Sequence, residues 1–379
     1  MAGHAYDLAI VGGGIVGLAH ALAASRLGLR IGLIERDHRP VGASIRNFGF
    51  ITVTGQEAGD VWRRARRSRD VWLEVADPAG IAIEQHGLAM IARRPQARAV
   101  LEAFLQTDMA GDCRWLAARE AAEWLGPVKP ASLDGVLYSD VDLRVESRIA
   151  IPALTRWLDE RRGVTFHRAT AVHGVAPGRL DTTAGTIEAA AIVVCPGDDL
   201  LTLFPDTFTE AGVTRCKLQM MRLAAPGYRL PATIMSDLSL IRYLGYAALP
   251  EAAALKARLE DEQAEWLAHG VHLIVAQGAD GSLIVGDSHH YADTPDPFQA
   301  QDVERLILDE FAAVMGSIPP VIERWGGTYA SADRHSLVTA PMPGVRLVTV
   351  TSGTGASTAF ALAEEVIGEL FDRRLGAAA

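Results

Sequence analysis

The sequence predicts an α/β protein, a parallel-sheet domain joined to a mixed-sheet α+β domain. Three stretches predict it. Tyr6–Val11 is a short apolar run; Gly12-Gly13-Gly14-Ile15-Val16-Gly17 follows, then helix-forming residues Leu18–Ala23 and a second apolar run from Arg30 to Glu35. Ala190–Cys195 is wholly apolar and enters Pro196-Gly197. A strand buried on both faces of a parallel sheet has this composition. Val345–Val350 is again strand-like and enters Ser352-Gly353-Thr354-Gly355-Ala356-Ser357-Thr358, with an apolar helix predicted from Ala359 to Phe371.

The first stretch is G-x-G-x-x-G between a strand and a helix, with an acid closing the next strand. That is the Rossmann-like fingerprint for a dinucleotide. Gly12 permits the tight turn. Gly14 lets a pyrophosphate approach the backbone, and Gly17 lets helix and strand pack closely. Ile15 and Val16 lead into the helix, whose N-terminus offers free N–H groups to the phosphates. Glu35, followed by Arg36, stands at about the 20-residue spacing that brings an acid to the ribose hydroxyls. Val41–Gly49 then supplies Ser44, Arg46 and Asn47, with Phe48 and Gly49, groups suited to phosphate oxygens and polar ring edges. The Gly353-Thr354-Gly355 turn opens a second helix and is a second anion site. Two such turns can hold opposite ends of one long cofactor.

Composition narrows the class. The chain has 379 residues, 49% hydrophobic and 22% charged, with a formal charge of −10. This suits a two-domain globular protein and argues against nucleic acid as a partner. Cys113, Cys195 and Cys216 are scattered and contain no C-x-x-C, which fits a reducing cytoplasm. The chain enters its first strand at once without a cationic leader, and the apolar stretch Leu8–Ala24 is broken by glycines and His20. No membrane association is expected.

Between these stretches the periodicity predicts a helix over about 56–75, whose Arg63, Arg64, Arg66, Arg67 and Arg69 read as a solvated face. Strand-like alternation spans Ile81–Arg93 and Gly135–Ser139, with helices at Pro95–Asp108, Ala117–Leu125 and Ile149–Arg162. Strands follow at Val164–His167 and Ala171-Val172. The middle of the chain predicts a mixed sheet with strands Leu218–Leu223, Ile241–Leu249, His272–Ala276 and Ser282–Val285. Ala279-Asp280-Gly281 reads as a hairpin turn, and Gln301–Met315 as an amphipathic helix. Residues 1–80, 143–212 and 325–379 are expected to form the dinucleotide domain, and 81–142 with 213–324 the substrate domain. No metal site is expected, because no three histidines stand at metal-ligand spacing.

FAD fits better than NAD, since there is one complete fingerprint and no second Rossmann unit mid-chain. The layout resembles the D-amino-acid oxidase superfamily, above all its glycine oxidase and sarcosine oxidase branch. The resemblance runs along essentially the whole chain, through Gly12, Gly14, Gly17, Glu35, Gly42-Ala43-Ser44, Arg46-Asn47, Val172, Val193–Gly197 and Gly353-Thr354-Gly355. It implies that Glu35 holds the adenosine ribose and that the Val172 backbone meets the adenine edge. It also implies that the Gly353–Thr358 turn lies by the flavin N1–C2=O edge. The chain departs from the family at Trp325-Gly326-Gly327-Thr328-Tyr329, where many members carry the Gly-x-Arg-Pro arginine that grips a substrate carboxylate. The histidine or late cysteine of covalent branches is also missing, so noncovalent FAD is expected. Arg46–Gly49, Cys216–Met220, Gly286-Asp287-Ser288-His289 and Ser352–Phe360 resemble a narrower branch linked with bacterial phosphonate catabolism.

The resemblance implies oxidation of a small anionic amine, such as N-methyl-2-aminoethylphosphonate or 2-aminoethylphosphonate, with dioxygen as acceptor. A glycine, sarcosine or D-amino-acid oxidase, or an amine dehydrogenase with another acceptor, stays open. No acid–base residue is required if the amine binds neutral. Lys217 is the candidate for dioxygen activation or anion binding. Arg242 and Tyr243, placed on a strand, are the candidates for the substrate anion, with His289 and Thr328 beside them.

Overall fold

The computed structural model describes residues 5–372. Its centre is the strand Tyr6–Val11, whose residues Leu8, Ala9 and Ile10 are fully buried. It pairs in parallel with Ile31–Ile34 on one side and Gly185–Val194 on the other. Val164–His167 extends the sheet beyond Ile31–Ile34, and Val345–Ser352 extends it beyond Gly185–Val194, again in parallel. Five strands from distant parts of the chain thus form one parallel sheet. Helices Ile15–Arg26, Ser147–Arg162 and Gly355–Leu370 contribute to its apolar cover, through residues such as Leu18, Leu154 and Phe360.

A second, mostly antiparallel sheet grows from the same C-terminal edge. Val321–Thr339, 19 residues long, pairs antiparallel with both Val345–Ser352 and Thr214–Leu223. It therefore ties the two sheets together. Leu283–Gly286, Ile274–Gln277 and Thr233–Ser236 continue the antiparallel order. Thr233–Ser236 then pairs in parallel with Ile83–Ala92, which runs antiparallel to Gly135–Val145. Helix Gln301–Met315 packs Leu306, Phe311 and Val314 into this sheet's core. The expected α/β class with its mixed sheet is what the chain forms.

Several elements differ from the sequence reading. Ile241–Leu249 is not a strand: a 3-10 turn covers Asp237–Ile241, and a short helix covers Leu244–Ala247. The alternation misled because Leu240 and Tyr246 are both buried while the chain turns tightly between them. That turn is fixed by the Gly245 N–H donating to the Gly55 carbonyl at 2.9 Å. Helix Asp60–Ala79 starts later and runs further than predicted. Its arginines are not merely solvated. Arg64 pairs with Glu365, Arg67 with Glu364 and Glu74, and Arg66 with Asp112. Together with Trp72, edge-on to Phe360 at 5.1 Å, the pairs to Glu364 and Glu365 clasp the helix to Gly355–Leu370. The hairpin at Ala279-Asp280-Gly281 is present and joins two antiparallel strands.

Candidate active site

The glycine turn is held by packing and by one carboxylate. Gly12 has φ +102°, and a Cβ there would run into the Cys195 carbonyl oxygen. A Cβ at Gly17 would meet the Gly12 carbonyl, so this glycine lets the helix seat against the turn. Glu35 Oε2 accepts from the Gly13 N–H at 2.7 Å, and Oε1 accepts from the Asp37 N–H at 2.9 Å. Ser44 Oγ accepts from the Ile15 N–H at 2.9 Å, capping the helix from a neighbouring loop. Asn47 is locked in that loop, donating to the Ala43 carbonyl and accepting from the Gly49 N–H and Ser147 hydroxyl.

The second turn faces the first. Gly353 has φ +72° and lies against the Tyr329 ring. Ser352 Oγ and Thr354 Oγ1 are 2.7 Å apart. Ser357 Oγ accepts from the Thr52 N–H at 2.9 Å, which joins this turn to the early loop.

Both turns line one crevice of about 830 Å³. This lies high in the range of about 300–1,000 Å³ usual for ligand sites. Its walls hold Gly12, Gly14, Ile15, Val16, Gly17, Glu35, Arg36, Ser44, Arg46, Asn47, Phe48, Val172, Pro196, Gly197, Gly353, Thr354, Gly355 and Ser357. Arg242, Tyr243, His289 and Thr328 line it too. Three expected site residues lie elsewhere. The Gly49 N–H caps Asn47, and a Cβ on Gly49 would strike the Val145 carbonyl, so its role is to turn the chain. Thr358 Oγ1 is spent on the Thr354 carbonyl at 3.0 Å, inside its own helix. Lys217 sits on Thr214–Leu223 with Leu218, and strand alternation sends the two side chains to opposite faces. Leu218 lines the crevice, whereas Lys217 Nζ donates to the Asp296 and Phe298 carbonyls at 2.8 and 2.7 Å.

The far part of the crevice is polar. Arg242 Nη2 donates to the Tyr291 hydroxyl at 3.0 Å. Burial works against the guanidinium charge, but Tyr329, Tyr291 and Asp287 outweigh it and hold its pKa above the usual value. Burial, reinforced by Asp287, raises the Tyr243 phenol, so it is a neutral hydroxyl. His272, Asp287 and His289 form a buried group beside them. Burial pushes the Asp287 carboxyl up, but its neighbours His289, His272 and Arg242 together outweigh burial and hold it below the ordinary carboxylate value. Burial pushes the His289 imidazole down to about 3, so it is neutral at pH 7. The side-chain ligand atoms of this trio lie within 4.8 Å of one another. The expectation of no metal-spaced cluster did not anticipate it, because His272 and Asp287–His289 come from two neighbouring chain segments. Arg242 adds fixed positive charge to the same crevice. Sequence reasoning named His289 but passed over Asp287, His272 and Tyr291; Gly286-Asp287-Ser288-His289 was the signal available.

Bare backbone at two helix starts, an acid past the first turn and one long crevice define a dinucleotide-binding protein, and the donor set fits FAD. The chain belongs to the FAD dependent oxidoreductase (DAO) family, which matches it over residues 7–368. A glycine oxidase of Geobacillus kaustophilus is 25% identical over 208 residues, covering 51% of this chain and 55% of that relative. The aligned region thus spans about half the length of that curated relative. The crystal structure of glycine oxidase from Geobacillus kaustophilus superposes with a TM-score of 0.79 at 19% identity, covering 99% of this chain and 97% of that one. L-proline dehydrogenase from P. horikoshii superposes with a TM-score of 0.78 at 16% identity, covering 97% and 93%. Among the described residues no helix is long and apolar enough to cross a membrane.

Proposed function

We propose that the protein is an FAD-dependent oxidase of a small anionic primary or secondary amine, an aminophosphonate such as N-methyl-2-aminoethylphosphonate or 2-aminoethylphosphonate. The observation that carries this reading is the position of Arg242. It offers a fixed guanidinium, next to the Tyr291 hydroxyl, in the same crevice as the two glycine turns. The family's usual arginine position is taken by Gly327-Thr328, which places no cation there. An anion held by Arg242 instead suits a substrate whose charge extends away from the reacting carbon. A guanidinium also matches a phosphonate through paired N–H donors.

When bound in this crevice, FAD would supply the two-electron acceptor for the hydride of the amine's α carbon; water would hydrolyse the resulting imine to an aldehyde and an amine, and dioxygen would take up the two electrons as hydrogen peroxide. The chain's own part is positioning. Gly12–Gly17, Glu35, Ser44 and the Gly353–Ser357 turn hold the cofactor noncovalently. Arg242 and Tyr243, with Thr328 on the neighbouring strand, fix the anionic end of the substrate. The apolar walls around Phe48 and Leu218 exclude water. In this reading 1–80, 143–212 and 325–379 belong to the cofactor domain, of which 1–4 and 373–379 lie outside the described residues, and 81–142 with 213–324 to the substrate domain. A cytoplasmic location goes with it.

The named activities of the relatives favour a second reading: an oxidase of glycine, sarcosine or a D-amino acid, or a dehydrogenase with an acceptor other than dioxygen. Dioxygen uptake and peroxide release across N-methyl-2-aminoethylphosphonate, 2-aminoethylphosphonate, sarcosine, glycine and D-alanine separates the two. Preference for glycine or sarcosine over both phosphonates overturns the first reading. Flavin bleaching by an amine under nitrogen, without dioxygen uptake in air, assigns a dehydrogenase.

A further inference from the structure

The anion reading leaves a buried group of titratable side chains in the crevice unused. His272, Asp287 and His289 are 3%, 4% and 7% exposed, yet all three line the crevice. His289 Nδ1 lies 2.9 Å from the Gly270 carbonyl, which can only accept, so the ring's proton is on Nδ1. The neutral ring then presents Nε2 as an acceptor. That atom faces Asp287 Oδ2 at 3.7 Å, acceptor against acceptor. Asp287 Oδ1 is buried without a hydrogen-bond partner among the described residues. His272 Nε2 approaches it at 3.1 Å without the alignment of a hydrogen bond. Arg242 does not supply the missing donor by direct contact; its Nη2 is engaged by Tyr291.

A buried carboxylate and a facing lone pair with no donor between them are costly to maintain. The group that satisfies them is a cation carrying at least two N–H bonds. We infer that Asp287, His289 and His272 form the subsite that receives the substrate nitrogen, as an ammonium donating to the Asp287 carboxylate and to Nε2 of His289. This rests on the amine-oxidase reading and deepens it. Arg242 with Tyr291 then receives the anion, and the crevice selects a zwitterion by both of its charges. The substrate enters as the cation at its nitrogen and passes one N–H proton to the Asp287–His289 pair before its α carbon loses hydride, which departs from the neutral-amine entry that the sequence reading allowed.

The test is calorimetric titration of the FAD-loaded full chain, under nitrogen, with paired ligands. One pair is 2-aminoethylphosphonate against ethylphosphonate, the other glycine against acetate. The amine-bearing member of at least one pair should bind at least about 30-fold tighter to the wild type, the size of a buried charge contact. Asp287→Asn should abolish that preference without weakening the amine-free ligand, and the variant should keep the bound flavin spectrum. His289→Gln, the second variant, should cut the preference at least about tenfold, and it stands in if Asp287→Asn does not retain flavin. The inference is overturned if no pair shows a preference, or if the variants keep it. It is also overturned if the purified wild type carries a stoichiometric divalent metal that Asp287→Asn loses. A wild type that shows the preference but oxidises no amine retires the proposed function and leaves the subsite standing. Amine oxidation with a preference intact in both variants does the reverse.

Discussion

Glu35 Oε2 accepts a hydrogen bond from the Gly13 backbone N–H at 2.7 Å, across the turn that begins the cofactor crevice. Its other oxygen accepts from the Asp37 N–H at 2.9 Å. The acid thus sets the shape of the glycine turn as well as facing the crevice. An amide in its place can accept from only one of these N–H groups and turns its own NH₂ toward the other. A hydrogen bond to a charged group contributes about 1.5–3 kcal/mol. Glu35→Gln should therefore weaken FAD binding by roughly 10- to 100-fold. Titration of apoprotein with FAD, followed by flavin fluorescence, measures this. Unchanged affinity means that the turn keeps its shape without the acid.

Gly14 lies in the crevice wall, and even a methyl group there would come within 3.0 Å of Ser44 Oγ. Gly14→Val should yield a folded, colourless protein that does not take up FAD on reconstitution. A yellow Gly14→Val variant with normal FAD content would show that the pyrophosphate does not pass this residue.

The first turn was legible in the sequence because its chemistry is local. The positive φ of Gly12, the packing of Gly17 and the reach of Glu35 all act within forty residues. The C-terminal turn was legible for the same reason. The long strand Val321–Thr339 was not. Its first part pairs with Thr214–Leu223 and its last part with Val345–Ser352, with Ser331 common to both, but its Glu323, Arg324, Asp333 and Arg334 break any apolar alternation. Its pairing partners, not its own pattern, make it a strand. The polar end of the crevice was hidden by sequence distance: Arg242 meets Tyr291, and His272 meets Asp287. Such contacts exist only once the antiparallel strands have found their register.

His20 is buried in the first helix, with Nδ1 donating to the Val16 carbonyl at 2.7 Å. Burial pushes its imidazole down from 6.5 to about 4, partly offset by that hydrogen bond. The sign follows from linkage. The unfolded chain takes up this proton below about pH 6.5, and the folded chain does so only near pH 4. Stability is therefore lost as pH falls between those values, by about 3 kcal/mol at most. His20→Leu should flatten the urea midpoint against pH over that window. Parallel curves for the two proteins would place the acid sensitivity elsewhere.

Glu364 is nearly buried and receives Arg67 Nη2 at 2.8 Å and Arg26 Nη1 at 2.7 Å. It is the centre of the clasp between the first turn's helix, the arginine-rich helix and the C-terminal helix. Glu364→Gln leaves two guanidiniums facing a neutral amide. The arginines stay partly solvated, so the cost should be about 1–3 kcal/mol, below that of a fully buried pair. Urea denaturation of the FAD-loaded protein reads it directly. Asp60→Asn, which removes an exposed carboxylate from the arginine-rich helix, should change stability by less than about 1 kcal/mol.

Arg242 makes the last case, because one side chain there is asked to decide the substrate. Its guanidinium keeps its charge at any working pH and is oriented by the Tyr291 hydroxyl at 3.0 Å. Arg242→Met keeps much of the side-chain length and removes the charge and the donors. If Arg242 grips the anion equally in ground and transition states, KM for the preferred aminophosphonate should rise at least about 30-fold with kcat little changed. Arg242→Lys should recover only part of this, since a single ammonium cannot present paired donors. An amine without an anion, such as N-methylethylamine, should be a poor substrate of the wild type and be affected far less by Arg242→Met. Equal losses for the charged and uncharged amines would mean that Arg242 shapes the crevice and does not bind the anion. Steady-state kinetics on these three proteins with the two amines distinguish the outcomes.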